Sequence, residues 1–424
     1  MRRPALLAVL GLANCSPAVD VGPLPAEPRP LEGDIDVADH DGATHAQAND
    51  FFTELSGVGD FDGDGCDDLV VSGSSAYSEN VGFAPLATIL YGEPGPLRQR
   101  HWDHASTKIF GGTTSNRALG VGDLDGDGFP DLAVRTDERG LRLFRGGSRR
   151  PAELHLDDAD FTIDGDNRAM LLPASGHGGD VTGDGVADLV LGRYGDIRSA
   201  YSPTVHIIPG SEAFYAASSV RYDAAAVATV SVAGGTVEPV LVEDIDGDGV
   251  ADIVLASDAG DPSQVDLSIL RGGDALSGPV DLSTAAATLR LGSTPYVSSL
   301  HDSTSPTPSL LISAATLQVW GDLDAEPRVL DSISGRMQSA GDLDGDGLGD
   351  VLVERRETVS VFYGTPNFRD GSIPPAATLH LPAAPLDRVR VAPVGDFNCD
   401  GFDDIAFSVA RADSSVHILY GAPR

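Results

Sequence analysis

The sequence predicts an all-β protein made of seven repeat units arranged around a common axis. A nine-residue acidic pattern, D-x-[D/N/T]-x-D-G-x-x-D, occurs six times, and each copy is followed by an aliphatic run. A second pattern, a short strand that ends in or just before glycine, occurs seven times. The 424 residues include 50 Gly and 28 Pro but few aromatics, which suits tight turns and short strands. One such unit cannot bury both faces of its sheet, so regularly spaced units are expected to stack.

The acidic pattern sets the repeat. Its copies start at Asp60, Asp123, Asp180, Asp244, Asp342 and Asp396. The aliphatic runs behind them span 69–71, 132–134, 189–191, 253–255, 351–353 and 405–407. Successive copies start 63, 57, 64, 98 and 54 residues apart, so the long interval predicts a hidden copy. We place it at LHDSTSPTPSLLISA (300–314), with Asp302 and an LLI strand (310–312) but Ser, Thr and Pro at the acidic positions.

The glycine-ended strands give the same count. They span 88–92, 141–146, 205–210, 267–272, 317–321, 359–364 and 416–421, one in each unit including the degenerate one. Seven units of about 54 residues fill 32–424. Earlier units continue after this strand into another, such as 280–282 or 377–380, whereas the last has only three further residues. We expect Asp34–Ala38 to supply the missing outer strand and to close the ring, which removes an open edge.

The first 31 residues are predicted to lie outside the fold. Residues 1–15 read as a signal peptide, with Arg2 and Arg3 before a short apolar run. Leu12–Cys15 resembles a bacterial lipobox, although Asn14 departs from its usual small residue, so ordinary secretory cleavage after Ala13 stays open. The proline-rich segment 16–31 reads as a tether. Both alternatives predict export, as an outer-membrane or surface lipoprotein held only by a lipid on Cys15, or as a secreted or periplasmic protein.

The repeat unit resembles a known family. The pattern GDxDGDGxxDLxV followed by VxxxYG is similar to the FG-GAP repeat of integrin alpha-subunit heads and of many bacterial surface proteins. That resemblance covers essentially the whole mature chain. It implies a seven-bladed β-propeller, in which each unit is one blade, with calcium-binding hairpin loops.

The acidic loops have the chemistry of calcium sites. Hard cations take oxygen ligands, and carboxylates at positions 1, 3, 5 and 9 with the carbonyl of position 7 can surround one Ca²⁺, while glycine at position 6 permits the bend. Thr182 and Asn398 at position 3 would weaken binding without abolishing it. The predicted ligands, with the position-7 residue acting through its carbonyl, are Asp60, Asp62, Asp64, Cys66 and Asp68; Asp123, Asp125, Asp127, Phe129 and Asp131; Asp180, Thr182, Asp184, Val186 and Asp188; Asp244, Asp246, Asp248, Val250 and Asp252; Asp342, Asp344, Asp346, Leu348 and Asp350; Asp396, Asn398, Asp400, Phe402 and Asp404.

Other interpretations of the loops fit less well. An EF-hand or a dockerin-like loop needs an acid at position 12, where this chain has an apolar strand residue in all six copies. Plain Asp-Gly turns would not keep a fixed register six times. Two shorter acidic stretches, 164–166 and 322–324, break off before position 9 and are given no metal.

Charge limits the partners. The formal net charge is -36, and Lys108 is the only lysine. Such a surface repels nucleic acid and anionic membranes and favours bound cations. We therefore expect about six structural Ca²⁺ ions, a monomer, and no nucleic-acid partner.

Function is predicted less sharply than fold. No catalytic motif is present, so we expect a non-enzymatic binding or adhesion module for a protein or glycan ligand at the cell surface. The alternative is a polysaccharide-binding lectin or lyase-type enzyme. Its candidate residues are the basic and aromatic segment 98–106 and two strand-end aromatics, Trp320 and Tyr363, although an outer strand and core packing account for them more simply. His177 is read as a turn residue.

Two cysteines remain if Cys15 is lipidated. Cys66 lies at position 7 of the first acidic loop and Cys399 at position 4 of the last. The first and last units are neighbours in a closed ring, and an exported protein meets oxidising conditions. A disulfide across the seam and two free thiols are both open at this stage.

Overall fold

The computed structural model describes most of the chain. The described residues are 30–36, 44–46, 51–74, 85–95, 106–111, 117–135, 140–165, 169–173, 178–195, 203–232, 235–258, 263–273, 276–303, 305, 307–321, 323, 326–330, 335–355, 358–365, 375–380, 389–409 and 415–424. The signal and tether predictions for 1–29 lie outside these ranges. Leu31, the last residue of the predicted tether, is instead buried in the hydrophobic core. No helix in the described part of the chain is long and apolar enough to cross a membrane.

The described residues form short strands and very little helix. The one α-helical turn is Tyr222–Ala225 (α1), and 3-10 turns lie at Leu156–Asp158, Phe214–Ala216 and Leu282–Thr284. In chain order the strands are β1 (Gly33–Asp36), β2 (Thr44–Ala46), β3 (Phe51–Gly59), β4 (Asp68–Ser74), β5 (Ala87–Leu90), β6 (Ser106–Phe110), β7 (Ala118–Gly122), β8 (Asp131–Arg135), β9 (Leu141–Phe144), β10 (Glu153–His155), β11 (Phe161–Asp164), β12 (Ala169–Pro173), β13 (Leu189–Gly195), β14 (Thr204–Ile208), β15 (Ser219–Arg221), β16 (Ala228–Ser231), β17 (Thr236–Glu243), β18 (Asp252–Asp258), β19 (Val265–Leu270), β20 (Gly278–Val280), β21 (Ala287–Leu291), β22 (Tyr296–Leu300), β23 (Ser309–Ser313), β24 (Leu317–Trp320), β25 (Arg328–Val329), β26 (Arg336–Gly341), β27 (Asp350–Glu354), β28 (Thr358–Phe362), β29 (Ala377–His380), β30 (Val389–Gly395), β31 (Asp404–Val409) and β32 (Ser415–Leu419).

The strands assemble into seven sheets, which are the blades of a β-propeller. Each blade is a four-stranded antiparallel meander, and four blades carry a fifth, parallel strand at the outer edge. The sheets from inner to outer strand are β3-β4-β5-β6-β10 (blade 1), β7-β8-β9-β11-β15 (blade 2), β12-β13-β14-β16-β20 (blade 3), β17-β18-β19-β21 (blade 4), β22-β23-β24-β25 (blade 5), β26-β27-β28-β29-β1 (blade 6) and β30-β31-β32-β2 (blade 7). The predicted all-β, seven-bladed fold is confirmed.

The hydrophobic core is divided among the blade interfaces. Seven clusters of buried side chains each combine residues of two adjacent blades. The second strand of a blade is covered on both faces, so Leu69, Val70 and Val71 are all fully buried. This is why these strands appear in the sequence as unbroken aliphatic runs instead of alternating patterns. One cluster joins Leu69 of blade 1 to Phe397 of blade 7 and shows that the ring is closed.

The strand that closes the ring is not the one predicted. The fourth strand of blade 7 is β2 (Thr44–Ala46), which pairs antiparallel with β32. The predicted closing segment, Asp34–Ala38, begins instead within β1, which lies parallel to β29 at the outer edge of blade 6. Ile35 packs there against the core shared by blades 6 and 7. An N-terminal clasp was thus predicted correctly but assigned to the wrong strand, because both segments are short and only pairing distinguishes them.

A second correction concerns blade 4. Its outer strand is β21, whereas the segment 280–282 that the sequence suggested runs from the end of β20 to the 3-10 turn Leu282–Thr284. Val280 ends β20, which lies parallel to β16 of blade 3. In four places, a segment thus covers the outer edge of a blade other than the one it belongs to in sequence.

Candidate metal centres

The acidic loops connect the first and second strands of six blades on one face of the propeller. We number them by blade: loop 1 (60–68), loop 2 (123–131), loop 3 (180–188), loop 4 (244–252), loop 6 (342–350) and loop 7 (396–404). Positions 4 and 6 have positive φ, as at Gly63 (76°) and Gly65 (96°) in loop 1. Glycine adopts this conformation without a side-chain clash. Position 4 of loop 7 is Cys399, with φ of 57°, where the other five loops have glycine.

Backbone hydrogen bonds hold the loop tightly. The Asp60 carboxylate accepts from the N–H groups of Gly63, Asp64 and Gly65 at 2.7, 3.0 and 2.9 Å. Asp64 in turn accepts from the Cys66 N–H at 2.9 Å. Equivalent bonds to the position-1 aspartate recur in the other five loops. The chain therefore wraps around its own carboxylates before any ligand is added.

The position-9 aspartate points inward and ties the loop to its blade. Asp68 is buried and accepts hydrogen bonds from the N–H groups of Phe61 (3.0 Å) and Gly92 (2.8 Å). Gly92 ends the third strand, and the same bond to the strand-ending glycine is present in the other five acidic blades. A Cβ on Gly92 would come within 3.0 Å of the Asp67 carbonyl oxygen, so only glycine fits. This contact explains the glycine-ended strands.

Burial makes it unfavourable for these position-9 carboxylates to ionise when no cation is near. Desolvation raises the pKa of Asp68 and Asp350 to about 8, of Asp131 to about 7, and of Asp188 and Asp252 to about 6. The pKa of Asp404 is likewise raised well above its ordinary value. A cation beside such a group would favour its charged form.

The position-3 aspartates give the strongest structural argument for a bound cation. Asp125 and Asp246 are each half-buried or more, and each has a buried Oδ1 without a hydrogen-bond partner. An unsatisfied buried carboxylate oxygen is costly and requires an explanation. In loop 1, carboxylate oxygens of Asp60, Asp62 and Asp68 lie within 4.8 Å of one another. Calcium–oxygen distances of about 2.3–2.6 Å put ligand oxygens up to about 5 Å apart, so the spacing fits Ca²⁺.

The other loops give partial agreement with the predicted ligand sets. Oxygens of Asp123, Asp125 and Asp127, of Asp244, Asp246 and Asp248, and of Asp342, Asp344 and Asp350 meet the same distance limit. Loops 3 and 7 have the neutral Thr182 and Asn398 at position 3. Thr182 Oγ1 instead donates to Asp188 Oδ1 at 3.4 Å. The ligand role of the position-7 carbonyls stays a prediction.

Four arginines that no sequence motif singles out contact four of the loops. Arg150 pairs with Asp62 and Asp64 of loop 1, the latter at 2.7 Å. Arg424 pairs in the same way with Asp344 and Asp346 of loop 6, and Arg145 with Asp125 and Asp127 of loop 2. In loop 4, Arg271 contacts Asp246 alone at 3.0 Å. These four arginines contact the carboxylates that a bound cation would need.

The arginines pair with aromatic rings in two ways. Arg150 stacks over Tyr91 and Arg424 over Tyr363, with the tyrosine at the strand end and the arginine supplied by the next blade. In blade 2 the two residues are exchanged, since Arg145 is at the strand end and Tyr215 comes from blade 3. The clue in the sequence was an arginine just before, or three to four residues after, a strand-ending glycine.

Hydrogen bonds link successive loops. The position-8 N–H of one loop donates to the position-1 carbonyl of the preceding loop, as from Asp67 to Asp396 at 3.0 Å and from Ala251 to Asp180 at 2.8 Å. Further bonds join the residue after a strand-ending glycine to the preceding loop, such as Gly147 N–H to the Phe61 carbonyl at 2.7 Å. A displacement of one loop is therefore transmitted to the next blade through these hydrogen bonds.

The degenerate copy corresponds to a different set of residues from those predicted. The Gly349 N–H donates to the His301 carbonyl, the position-1 bond seen elsewhere, and Leu300 pairs with Ser309. The degenerate loop 5 is therefore 301–309, one residue before the predicted start at Asp302. His301, Ser303, Ser305 and Ser309 occupy the four acidic positions. His301 contacts Glu243 of blade 4 at 3.3 Å, which raises the pKa of His301.

A disulfide joins the two seam cysteines. Cys66 and Cys399 are bonded, with Cα atoms 5.0 Å apart. The seam also has hydrogen bonds from Asp67 to Asp396 and from Glu93 to Phe397. Of the two possibilities that the sequence left open, the structure has the disulfide.

The alternative ligand residues are mostly structural or outside the described ranges. Trp320 and Tyr363 are each only 4% exposed, which agrees with core packing and leaves little ring surface for a sugar. The Tyr363 hydroxyl accepts from the Leu31 N–H at 2.8 Å. His177 and residues 98–105 lie outside the described part of the chain. Between blades 1 and 2 an open groove of about 600 Å³ is lined by both acidic and basic side chains, including Asp127, Arg145 and Glu153.

Comparison with known proteins supports the repeat assignment. Residues 60–134 match the FG-GAP-like repeat, a span that contains loops 1 and 2. No curated protein matches the chain. Among solved structures the chain is similar to BBS1N in complex with ARL6DN, soaked with mercury (13% identity, 89% of this chain and 94% of that chain covered, TM-score 0.47). It is also similar to the WD40 domain of Toxoplasma gondii coronin (9%, 93% and 90%, 0.44) and to Chaetomium thermophilum Raptor (9%, 93% and 29%, 0.49).

The family match and the seven sheets agree with the resemblance found in the repeats. The chain is a seven-bladed β-propeller, and its residues 60–134 match the FG-GAP-like repeat.

Proposed function

We propose that this protein is an exported, calcium-stabilised β-propeller that acts as a non-enzymatic binding or adhesion module at the cell surface. The observation that carries the calcium part is the buried, unsatisfied Oδ1 of Asp125 and of Asp246, each beside two further carboxylates of its loop. Bound Ca²⁺ would neutralise these groups and supply the missing contacts.

Charge makes the metal important for stability. The six loops place 22 aspartates at predicted ligand positions, in a chain of formal net charge -36. Six Ca²⁺ ions would bring that charge to -24. If each site had a Kd of about 10⁻⁴ to 10⁻³ M, millimolar calcium would stabilise the fold by roughly 0.4 to 1.4 kcal/mol per site. For a ring that unfolds as one unit, the contributions of well-separated sites add.

The binding role rests on the scaffold. FG-GAP-like propellers offer a rigid ring from which loops project, and such loops commonly carry recognition in repeat proteins. The strong negative charge disfavours nucleic acid and anionic lipid as ligands. Extracellular export would also place the protein where calcium is millimolar and disulfides persist.

Calorimetry tests the calcium proposal. Chelation should lower the melting temperature markedly, and added Ca²⁺ should restore it, whereas Mg²⁺ at equal concentration should restore less. An Asp125→Ala/Asp246→Ala variant should show a smaller calcium response, with Asp266→Ala as a control on a carboxylate outside the loops. An unchanged melting curve after chelation would contradict the proposal. A glycan array with a polysaccharide depolymerisation screen tests the binding role, and cleavage of any polymer would show an enzyme.

A further inference from the structure

Four blades cover their outer edge with a short parallel strand. These added strands are β1 on blade 6, β10 on blade 1, β15 on blade 2 and β20 on blade 3. Each has an aliphatic residue directly opposite a fully buried aliphatic residue of the edge. The pairs are Ile35 with Leu379, Leu154 with Ile109, Val220 with Ile163, and Val280 with Val230.

The covered edges present the same backbone groups. An outward N–H in the middle of the edge donates to the added strand, as from Lys108 to the Ala152 carbonyl and from Thr162 to the Ser218 carbonyl, both at 3.0 Å. A carbonyl one residue before the edge strand accepts in return, as Ala376 does from Gly33 at 2.9 Å. This is β-strand addition within one molecule.

Blade 4 has the same edge, and no added strand lies on it in the described part of the chain. Its outer strand β21 begins Ala287-Thr288-Leu289, the same three residues as Ala377-Thr378-Leu379 at the covered edge of blade 6. Leu379 is 0% exposed, whereas Leu289 is only partly buried. Among the described residues, β21 pairs with β19 alone.

The backbone of this edge matches the covered ones. The Ala286 N–H donates inward to the Ile269 carbonyl at 2.8 Å, just as the Ala376 N–H donates to Val361 at 2.8 Å. By the same strand geometry, the Ala286 carbonyl and the Thr288 N–H face outward. Open edges of this kind are usually blocked in proteins because they pair with other chains.

The degenerate blade explains why the edge is open. In blade 4 the third and outer strands are joined by 271–286, which is long enough to include β20 on its way. In blade 5 the corresponding connection is only 321–327 and leads directly to that blade's own outer strand, β25. Among its described residues this connection forms no strand beside β21, although Leu323 packs against the core that blades 4 and 5 share.

We propose that the β21 edge is a docking site for an extended segment of another protein, which adds in parallel as a fifth strand of blade 4. An aliphatic residue of that segment would cover Leu289, as Ile35 covers Leu379. This inference rests on the proposed role as a binding module and gives that module a site, but it does not depend on the metal.

The charged residue that follows the shared triplet indicates which residues the docked segment should contain. In blade 6 the residue after the shared triplet is His380, whose Nε2 lies 3.3 Å from a carboxylate oxygen of Asp34 in the added strand. Blade 4 has Arg290 at that position, exposed and paired with Asp266 at 2.7 Å. Arg290 bonds to Asp266 through Nε and Nη2, so an acidic residue just before the aliphatic one, as in Asp34-Ile35, would share this guanidinium with Asp266. The expected ligand is thus an extended acidic–aliphatic sequence, bound at physiological salt, which screens the net charge of -36.

A labelled peptide tests the site directly. The probe is Leu-Glu-Gly-Asp-Ile-Asp-Val, the sequence of residues 31–37, measured by fluorescence anisotropy against the full chain in saturating calcium. We expect saturable binding that falls at least tenfold with Ile35→Asp in the peptide. The protein variant Thr288→Pro removes the outward N–H, which an edge strand tolerates where that N–H faces solvent, and also the contact of Thr288 Oγ1 with Ser268 Oγ at 3.2 Å. Thr288→Val loses that contact and keeps the N–H, so binding should fall with Thr288→Pro but not with Thr288→Val, while the two variants melt at similar temperatures.

A matched variant separates docking from folding. Thr378→Pro makes the same change at the covered edge of blade 6, where it should displace β1 and lower the melting temperature. Absence of binding at millimolar peptide, or equal binding by the wild type and Thr288→Pro, would overturn the proposal. So would a dimer that dissociates on Thr288→Pro, since the occupant would then be a second copy. A peptide-negative result with a positive glycan or protein ligand elsewhere would refute this site while leaving the binding role intact.

Discussion

Cys66 and Cys399, 333 residues apart in sequence, form a disulfide between the loops of blades 1 and 7. Each cysteine lies in a loop whose aspartates also accept hydrogen bonds from the backbone. Hydrogen bonds between the two loops act at the same seam as the disulfide. The break in covalent order lies within blade 7, where β2 pairs with β32, and the disulfide joins the loop of that blade to blade 1.

Removing the disulfide should destabilise the protein substantially. Closing so long a loop is worth about 6 kcal/mol in the chain-entropy model, and removing a native disulfide usually costs somewhat less than that model gives. We expect Cys66→Ser/Cys399→Ser to lower the free energy of unfolding by about 2–5 kcal/mol in urea. Cys66→Ser/Cys399→Gly should recover about 1 kcal/mol of this, because position 399 has positive φ. Equal stability of the two double variants would show that the left-handed backbone at 399 has no cost.

The strand-ending glycines should be intolerant of a side chain. Gly92→Ala places a Cβ against the Asp67 and Phe397 carbonyl oxygens and disturbs the bond to Asp68. We expect a loss of about 2–4 kcal/mol of stability, comparable to other overpacked sites. Gly292→Ala is the matched control, since a Cβ there meets nothing within 4 Å. Similar urea midpoints for both variants would contradict the steric explanation.

The metal-free protein should lose stability as pH rises. Burial raises the folded pKa of Asp68 and Asp350 to about 8, above the value of about 3.9 for an unfolded aspartate. Between these values the folded state binds more protons than the unfolded state, so stability falls as pH increases. Calcium-free protein prepared on a chelating resin should melt at a higher temperature at pH 5 than at pH 8. The stabilisation by added Ca²⁺ should grow over the same range, and a rise in the metal-free melting temperature would refute this account.

The loop arginines should compete with calcium. Arg150 pairs with Asp62 and Asp64, and Ca²⁺ at the proposed site would need oxygens of the same two carboxylates. Arg150→Ala should therefore raise the calcium affinity of loop 1 by up to about fivefold, since a partly exposed pair is worth about 1 kcal/mol or less. It should also lower the metal-free melting temperature slightly. Isothermal titration calorimetry measures the first effect, with Arg221→Ala, whose ion pair with Asp223 lies outside the loops, as control. An unchanged affinity would show that displacing the arginine from these carboxylates costs no free energy.

Local pattern determined most of what the sequence predicted correctly. The six acidic loops, the aliphatic strand behind each and the seven glycine-ended strands are short contiguous segments, and each recurs at a readable spacing. The nine-residue register and the glycine positions follow from local backbone geometry alone. The number of blades followed from the number of repeats.

Only the tertiary structure decided which distant segments meet. It assigned Thr44–Ala46 to blade 7 and Gly33–Asp36 to blade 6, shifted the degenerate loop to 301–309, paired Cys66 with Cys399, and placed the arginines on the loops. These choices depend on contacts between residues far apart in sequence, where a three-residue strand or a single arginine carries no distinctive pattern. Packing against a neighbouring blade supplies the free energy that selects among them.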